Sequence, residues 1–228
     1  MTCPKCKSSQ STKDGKTNAG KQRYKRKNCN YHFSVERRCT EKTDEQKRLA
    51  LQLYLEGMGF RAIGRVLQIS YGTVFQWIKK WGEQAELPQK EAPIEIVELD
   101  KIHTYIQHKK NYCWIWIAVD RFGKRIIDFV CRKRNTLTFS KLYNRLKNKD
   151  INLFCSDYWK SYKELNPSKN LCQSKSETYT IEGFNSLIRH YLVRFKRKTK
   201  CYSKSQKMIE YSLKLLFLEL NSQSTIFV

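Results

Sequence analysis

The sequence has few acidic residues and no long hydrophobic run. Asp and Glu number 21 against 45 Lys and Arg, which gives a formal net charge of +24 over 228 residues. The longest apolar run, residues 112–119, is far too short to span a bilayer. The chain also starts directly with a cysteine motif, where a secreted protein would carry a signal peptide. These absences argue against a membrane-spanning protein and against a secreted one.

The excess of positive charge favours a polyanionic partner. Like charges repel one another in a compact chain, so a surplus of this size is useful where a partner neutralises it. Nucleic acid fits best, because each phosphate that a cation neutralises releases condensed counterions and strengthens binding at low salt. An anionic membrane surface is the alternative. The composition therefore predicts a nucleic-acid-binding protein, and the length allows one mid-sized domain with one or two small modules.

The nine cysteines do not form a disulfide framework, since their number is odd and most are widely spaced. Dispersed free cysteines are typical of small buried side chains in a reducing compartment. We therefore expect a cytoplasmic protein. Five cysteines are scattered singly through apolar or mixed surroundings: Cys113, Cys131, Cys155, Cys172 and Cys201.

The character of the sequence divides the chain into four segments. Residues 1–42 are basic and poor in large aliphatic side chains, residues 43–82 show helical periodicity, and residues 83–93 contain two of the four prolines and are interpreted as a linker. Residues 94–228 have a mixed α/β pattern, which predicts a mixed sheet flanked by helices. The predicted strands are 94–100, 112–119, 125–131 and 151–155, and the predicted helices are 136–148, 181–195 and 205–220.

Two short motifs near the N-terminus predict a zinc site. Cys3 and Cys6 form a C-x-x-C pair, and Cys29 and His32 form a C-x-x-H pair further along the chain. Two pairs of such ligands suit tetrahedral Zn²⁺, and a segment this poor in hydrophobic residues needs the folding energy that a metal supplies. Cys39 is the alternative to His32 as the fourth ligand.

A basic stretch lies between the two zinc motifs. A rigid zinc module would hold these cations against the DNA backbone better than a flexible segment, which favours phosphate contacts over a merely solvated face. The predicted contacts are Arg23, Lys25, Arg26 and Lys27.

Residues 60–77 fit a helix-turn-helix. Gly64 is the small residue that lets the two helices approach, and Ser70 is placed to cap the second helix. A helical hairpin used for dimerisation is the alternative, but the flanking charge favours DNA. The outward residues of the second helix would enter the major groove and are Tyr71, Thr73, Gln76, Lys79 and Lys80.

Three acids occupy positions that suggest a catalytic metal site. Asp100 ends the first predicted strand of the α/β segment, Asp157 follows a buried strand, and Glu182 begins an amphipathic helix. Such positions converge at one edge of a sheet, and three close carboxylates need a hard divalent cation, Mg²⁺ or Mn²⁺, to compensate their charge. Two such ions would activate a water or a 3′-hydroxyl against a phosphodiester.

Two neighbouring acids are assigned to other roles. Asp120 also ends a strand, but the Arg-Phe-Gly that follows predicts a turn. Glu98 shares the face of Asp100 by alternation, and we interpret it as a solvent-side charge, with accessory metal ligand as the alternative. Beyond Glu182 no acid occurs until Glu210, and the many cations between them favour a grip on a DNA strand.

Together these motifs resemble the transposases of the bacterial insertion sequence numbered one, over nearly the whole chain. The matching pieces are CPKC, CNYH, AGKQRYK, the helix-turn-helix, VELD, CSDYWKSY and YTIEGFNSLIRHYLVRFKRKTKCYSKS. Asp157 and Glu182 enclose 24 residues, a spacing typical of the Asp-Asp-Glu triad of that family. His32 is a departure, because the second zinc motif of the family commonly ends in cysteine.

The resemblance implies a ribonuclease H-like catalytic domain in which Asp100, Asp157 and Glu182 bind Mg²⁺. It also implies a DNA transposase that binds the terminal inverted repeats of its element, cleaves the 3′ ends and joins them to target DNA, as at least a homodimer on the double-stranded DNA of the nucleoid. The alternatives are a non-catalytic DNA-binding regulator and a nuclease without strand transfer. The accessory residues that match the family are Asn185, Arg189, Arg197, Lys198 and Ser203.

Overall fold

The computed structural model describes residues 2–18, 20–34, 42–88, 93–166 and 170–221. It divides into two compact units, Met1–Thr43 and Asp44–Val228, and each unit is described by itself. Across the described ranges, no helix combines the length and the apolar character that crossing a membrane requires.

The first unit is a small antiparallel sheet with a thin core. The rings of Tyr24 and Phe33 stack at 5.9 Å, but among the described residues of this unit only Cys3 and Arg26 are buried. The burial of so little apolar surface contributes too little free energy to offset the conformational entropy lost on folding. This unit therefore needs a further stabilising cross-link. The strands, adjacent in chain order, are β1 (Thr12–Lys16), β2 (Gln22–Lys25) and β3 (His32–Ser34).

Three helices open the second unit: α1 (Asp44–Leu55), α2 (Phe60–Val66) and α3 (Tyr71–Gln84). The turn between α2 and α3 confirms two details of the predicted helix-turn-helix. The amide of Gly72 donates a 3.2 Å hydrogen bond to the hydroxyl of Ser70, which caps α3. A Cβ added at Gly64 would lie 2.8 Å from the carbonyl oxygen of Ile69, so only glycine permits this close approach.

A five-stranded mixed sheet forms the rest of the second unit, in the order β6-β5-β4-β7-β8. The central strand β4 is antiparallel to β5 and parallel to β7. This confirms the predicted mixed sheet flanked by helices. The strands are β4 (Ile94–Tyr105), β5 (Tyr112–Asp120), β6 (Arg125–Arg132), β7 (Ile151–Ser156) and β8 (Leu171–Gln173), and the helices are α4 (Thr136–Leu146), α5 (Lys160–Leu165), α6 (Tyr179–Tyr191) and α7 (Gln206–Asn221).

Several boundaries differ from the prediction. Strand β4 continues past residue 100, because it pairs with β5 as far as Tyr105 and Tyr112. The sequence pattern does not predict α5 and β8, which have six and three residues and are too short to show periodicity. The predicted helix 181–195 ends as α6 at Tyr191, and a separate 3-10 turn follows at Val193–Phe195.

Two hydrophobic clusters cover the two faces of the sheet. One includes residues of α4 and α5, and the other includes residues of α6 and α7 and continues into α1, α2 and α3. A buried 2.6 Å hydrogen bond joins the hydroxyls of Tyr54 on α1 and Ser212 on α7. Gly82 on α3 packs so closely on Tyr211 of α7 that no side chain fits. The helix-turn-helix therefore shares a hydrophobic core with the α/β part.

Candidate active site

Two of the three predicted acids lie side by side, Asp100 within β4 and Asp157 directly after β7. Leu99 pairs with Ser156 across these parallel strands, and Asp100 and Asp157 are the next residues on each. Burial raises the pKa of the Asp100 carboxyl above its ordinary value, and the charge of Asp157 adds to the rise against the opposing effect of Lys101. The position is therefore one where a further cation would be stabilised.

Helix α6 brings Asn185 beside Asp100. The Asn185 amide nitrogen donates a 2.7 Å hydrogen bond to Oδ2 of Asp100. Glu182 precedes Asn185 by three residues, so the two are neighbours on the helix surface, and Glu182 is exposed. The amide oxygen Oδ1 of Asn185 is buried without a hydrogen-bond partner. An oxygen acceptor is thus left unsatisfied beside Asp100.

The three carboxylates nevertheless do not form a tight cluster. In the described part of the chain, the one group of three or more Asp, Glu, His or Cys side chains with all ligand atoms within 4.8 Å is a cysteine group in the first unit. Asp100, Asp157 and Glu182 are therefore more widely spread than the ligands of a single ion. Two metal ions about 3.5–4 Å apart would need ligands over such a wider span.

Lys101 compensates the charge of Asp157. Its Nζ donates a 2.6 Å hydrogen bond to Oδ2 of Asp157, and the lysine side chain is only 5% exposed. The ammonium also lies 5.9, 5.5 and 5.4 Å from the ring centroids of Trp116, Trp159 and Tyr162, where cation–π attraction adds to the ion pair. These partners come from distant segments, so the local sequence gives no sign of this role.

Glu98 is not the solvent-side charge that the sequence predicts. Its side chain is fully buried. One carboxylate oxygen accepts a 2.7 Å hydrogen bond from Nε of Arg121, and the other accepts a 2.8 Å hydrogen bond from the backbone amide of Ile181. Alternation does place Glu98 on the face of Asp100, but α6 covers that face. Glu98 therefore anchors the first turn of α6, where Glu182 lies.

Arg121 completes this anchor. Its guanidinium donates hydrogen bonds of 2.8 and 2.7 Å to the carboxylate and the backbone carbonyl of Glu177, and it lies 5.0 Å from the ring centroid of Tyr179. Burial opposes the charge, but the hydrogen bonds to Glu98 and Glu177 outweigh it and raise the pKa of Arg121. The network fixes the segment that leads into α6.

Asp120 confirms the turn interpretation. Its carboxylate accepts a 2.9 Å hydrogen bond from the backbone amide of Gly123 and a 3.0 Å hydrogen bond from Nε of Arg125. Gly123 lies in the connection from β5 to β6, and Arg125 is the first residue of β6. The carboxylate of Asp120 is thus used to close the turn.

We expect Glu98→Ala to lower the free energy of unfolding of the second unit by about 3–5 kcal/mol, because the buried Arg121 loses a charged partner. All five tryptophans lie in the second unit, so urea denaturation followed by tryptophan fluorescence measures this change. Glu95→Ala removes an exposed carboxylate from the same strand and should change stability by less than about 0.5 kcal/mol. Equal, small effects of both substitutions would show that Glu98 is not an anchor.

The predicted accessory residues of the C-terminal segment separate into three groups. Arg189 lies close enough to Asp100 to interact with its charge: burial and repulsion from Arg197 lower the pKa of Arg189, and Asp100 opposes that shift. Arg197 and Lys198 are exposed and accessible to a phosphate. Ser203 is buried, and its hydroxyl forms hydrogen bonds within the protein.

The outward side of α3 carries the residues predicted to contact DNA. Val74 and Ile78 are buried on the inward side of the helix. Four of the predicted contacts are exposed: Tyr71, Gln76, Lys79 and Lys80. The fifth, Thr73, is half-buried.

In the first unit the structure brings three cysteines together. Sγ of Cys29 lies 3.8 Å from Sγ of Cys3 and 3.6 Å from Sγ of Cys6. Tetrahedral Zn²⁺ with bonds of about 2.3 Å separates its sulfur ligands by about 3.8 Å, so the three thiols fit three of four zinc ligands. A hydrogen bond from the backbone of Ser8 lowers the pKa of Cys6 to about 7, which favours the thiolate that a metal binds.

His32 does not join this group, contrary to the prediction for the fourth ligand. Its Nδ1 lies 2.6 Å from Oδ2 of Asp14 and 3.2 Å from a guanidinium nitrogen of Arg23. The ring of His32 is thus paired with the acid on β1. The alternative fourth ligand, Cys39, lies outside the described residues.

Not every cation between the zinc motifs is available to DNA. Arg26 is buried, and its side chain contributes to the lowered pKa of Cys6, which corrects its prediction as a phosphate contact. Arg23 forms an ion pair with Asp14 at 3.1 Å. Lys27 is exposed and Lys25 is half-buried.

Comparison with known proteins adds independent findings. A family model described as IS1 transposase matches residues 94–221, and a homeodomain-like domain model matches residues 42–88. The protein InsB of insertion element IS1 4 from Escherichia coli (strain K12) is 30% identical over 112 residues, which are 49% of this chain and 67% of that protein. The protein InsB of iso-IS1n from Shigella dysenteriae is 29% identical over 115 residues, 50% of this chain and 88% of that protein. Among solved structures, a simian T-cell lymphotropic virus intasome in complex with PP2A regulatory subunit B56 gamma has a TM-score of 0.41 at 12% identity, with 80% of this chain and 71% of that chain covered.

Proposed function

Because the chain belongs to the IS1 transposase family, we propose that it binds the terminal inverted repeats of its element, cleaves the 3′ ends and transfers them to target DNA. The observation that carries the proposal is the side-by-side placement of Asp100 and Asp157, with Asn185 of α6 hydrogen-bonded to Asp100. The sheet order, with β4 central and β7 parallel to it, supports a ribonuclease H-like catalytic domain.

In this proposal Asp100, Asp157 and Glu182 hold divalent metal, Mg²⁺ or Mn²⁺. Carboxylates and the unpaired amide oxygen of Asn185 are the hard donors that these ions prefer. Bound metal would supply an activated water or 3′-hydroxyl and stabilise the leaving oxygen.

The residues around the acids position them and the DNA. Glu98 fixes the first turn of α6 and hence the backbone that carries Glu182. Lys101 orients the carboxylate of Asp157 through its 2.6 Å hydrogen bond. Arg189, which is close enough to Asp100 to interact with its charge, would attract the scissile phosphate.

Two further modules would bind the element ends. The exposed side of α3 would enter the major groove, where Gln76 reads base edges and the lysines contact phosphates. The first unit, as a zinc ribbon, would contact the backbone with Lys25 and Lys27. Since two ends must be paired, the protein would act as at least a dimer, on nucleoid DNA in the cytoplasm.

The test uses the purified full chain, labelled duplexes that end in the inverted repeats flanking its coding sequence, and a plasmid target. With Mg²⁺ or Mn²⁺ we expect cleaved 3′ ends and joined products, and a chelator should abolish both. Binding without cleavage would show a regulator. Cleavage without joining of pre-cleaved ends would show a nuclease. Either outcome contradicts the proposal.

A further inference from the structure

A band of aromatic rings continues along the sheet face that carries Lys101. Opposite residues of β4 and β5 form two aromatic pairs in register, with ring centroids 4.8 and 5.0 Å apart. A fifth ring from the segment before α7 lies 5.6 Å from the second pair. The aromatic band consists of His103 with Trp114, Tyr105 with Tyr112, and Tyr202.

The aromatic band is not part of a core. Neither hydrophobic cluster among the described residues includes its members. Tyr112 is 51% exposed, His103 is exposed, and Tyr105 and Trp114 are half-buried. Cross-strand aromatic pairs do stabilise a hairpin, but rings that stay this exposed also offer a contiguous surface to a partner.

Cations surround the aromatic band. The guanidinium of Arg134 lies 4.9 Å from the ring centroid of Trp114. Burial lowers the pKa of His103, and the charges of Arg189 and Arg134 lower it further. Both arginines therefore lie near the end of the band formed by His103 and Trp114. Positive charge beside exposed rings is complementary to a nucleic acid strand.

A basic groove adjoins the other end of the aromatic band. Tyr112 lines an open groove of about 440 Å³ that is also lined by Arg132, Lys133 and Lys141. A ring at the mouth of a groove with three cations allows a base to stack while the flanking phosphates meet positive charge.

We propose that the aromatic band binds unpaired DNA bases. Bases in a duplex expose only their edges in the grooves, whereas the faces of unpaired bases are free to stack on aromatic rings. Lys101 lies on the same face of β4 as His103 and hydrogen-bonds to Asp157, so a DNA strand held on the band would pass beside that candidate catalytic acid. The location rests on the proposed function, since the strand would be one that opens at an element end, but stacking itself requires no cleavage.

The test measures binding of fluorescein-labelled (dT)15 and of a matched duplex to the full chain by anisotropy. Tyr112→Leu keeps an apolar side chain in the strand but removes the ring, and it should weaken single-strand binding roughly ten-fold, as expected for the loss of one stacked base. Duplex binding should stay unchanged. Tyr112→Phe should retain single-strand affinity. Phe122→Leu is the control, because Phe122 is 61% exposed beyond the other end of β5.

If Tyr112→Leu lost equal affinity for (dT)15 and for the duplex, the aromatic band would be a general DNA-binding surface. If the variant lost no affinity for (dT)15, the band would not be a stacking site. Each result overturns the proposal. A changed sedimentation coefficient with unchanged (dT)15 affinity would assign the band to a contact between copies and overturns it too. An unchanged thermal midpoint of Tyr112→Leu shows that the variant is folded. A protein that binds (dT)15 through Tyr112 but never cleaves would refute only the proposed transposase activity. If the wild-type protein cleaves and joins DNA while Tyr112→Leu binds (dT)15 as tightly as the wild type, only this inference would be refuted.

Discussion

Asp100→Asn is expected to slow 3′-end cleavage at least about a thousand-fold, equivalent to about 4 kcal/mol of lost transition-state stabilisation. Asn matches the shape of Asp but supplies no negative charge to a divalent cation. The measurement is the single-turnover cleavage rate on labelled element ends. Binding of the same ends should be retained, because the exposed side of α3 and the first unit are unchanged.

The same substitution should leave the protein as stable as the wild type or more stable. Burial raises the pKa of Asp100. A carboxyl whose pKa rises on folding stabilises the fold below its unfolded pKa, and this contribution is lost as pH rises through the folded pKa. Near neutral pH the ionised Asp100 therefore lowers stability in the absence of metal. Added Mg²⁺ should raise the thermal midpoint of the wild type but not of Asp100→Asn.

Asp150→Asn is the matched control, since it removes an exposed carboxylate just before the start of β7, at the end opposite to Asp157. Asp157→Asn is less informative, because the ammonium of Lys101 would lose its partner while only 5% exposed, and activity and stability would fall together. An Asp100→Asn variant that cleaves within about ten-fold of the wild-type rate would contradict a metal ligand at this position.

The proximity of Asp100 and Asp157 follows from local pattern, because each comes directly after an apolar stretch and the parallel pairing of β4 with β7 aligns these two stretches. The role of Glu98 does not follow from local pattern. Its side of the strand is given by alternation, but its burial depends on Ile181 and Arg121, which reach it only through the tertiary fold.

Cations are the residues whose roles the sequence predicts least well. Composition treats each one as surface charge, yet packing buries Arg26 beside the thiols. Arg194 is also buried, 5.5 and 5.3 Å from the ring centroids of Tyr54 and Phe60. Such roles need partners that only a folded chain brings together, so the fold class and the helix-turn-helix are predictable from pattern while the ion pairs around the acids are not.

Cys3→Ser is expected to abolish zinc binding and to unfold the first unit while the second unit stays folded. Cys3 is buried and its Sγ lies 3.8 Å from that of Cys29. Structural zinc contributes about 10–16 kcal/mol to the folding of small modules, and the thin core of this unit offers no substitute. Zinc content by mass spectrometry and limited proteolysis within residues 2–34 measure the effect. Tryptophan fluorescence should stay unchanged, because all five tryptophans lie in the second unit.

Cys201→Ser provides the control for Cys3→Ser, since it makes the same change at an exposed free cysteine of the second unit.

His32→Ala separates the two possible ligand sets. Because the ring of His32 lies 2.6 Å from Asp14 and apart from the thiols, we expect this variant to keep one zinc per chain; loss of the metal would restore His32 as a ligand. Specific binding to element ends should weaken in Cys3→Ser, because Lys25 and Lys27 would no longer be held in position by a folded first unit. A zinc-free Cys3→Ser protein with wild-type proteolysis and wild-type DNA binding would rule out a structural metal in the first unit.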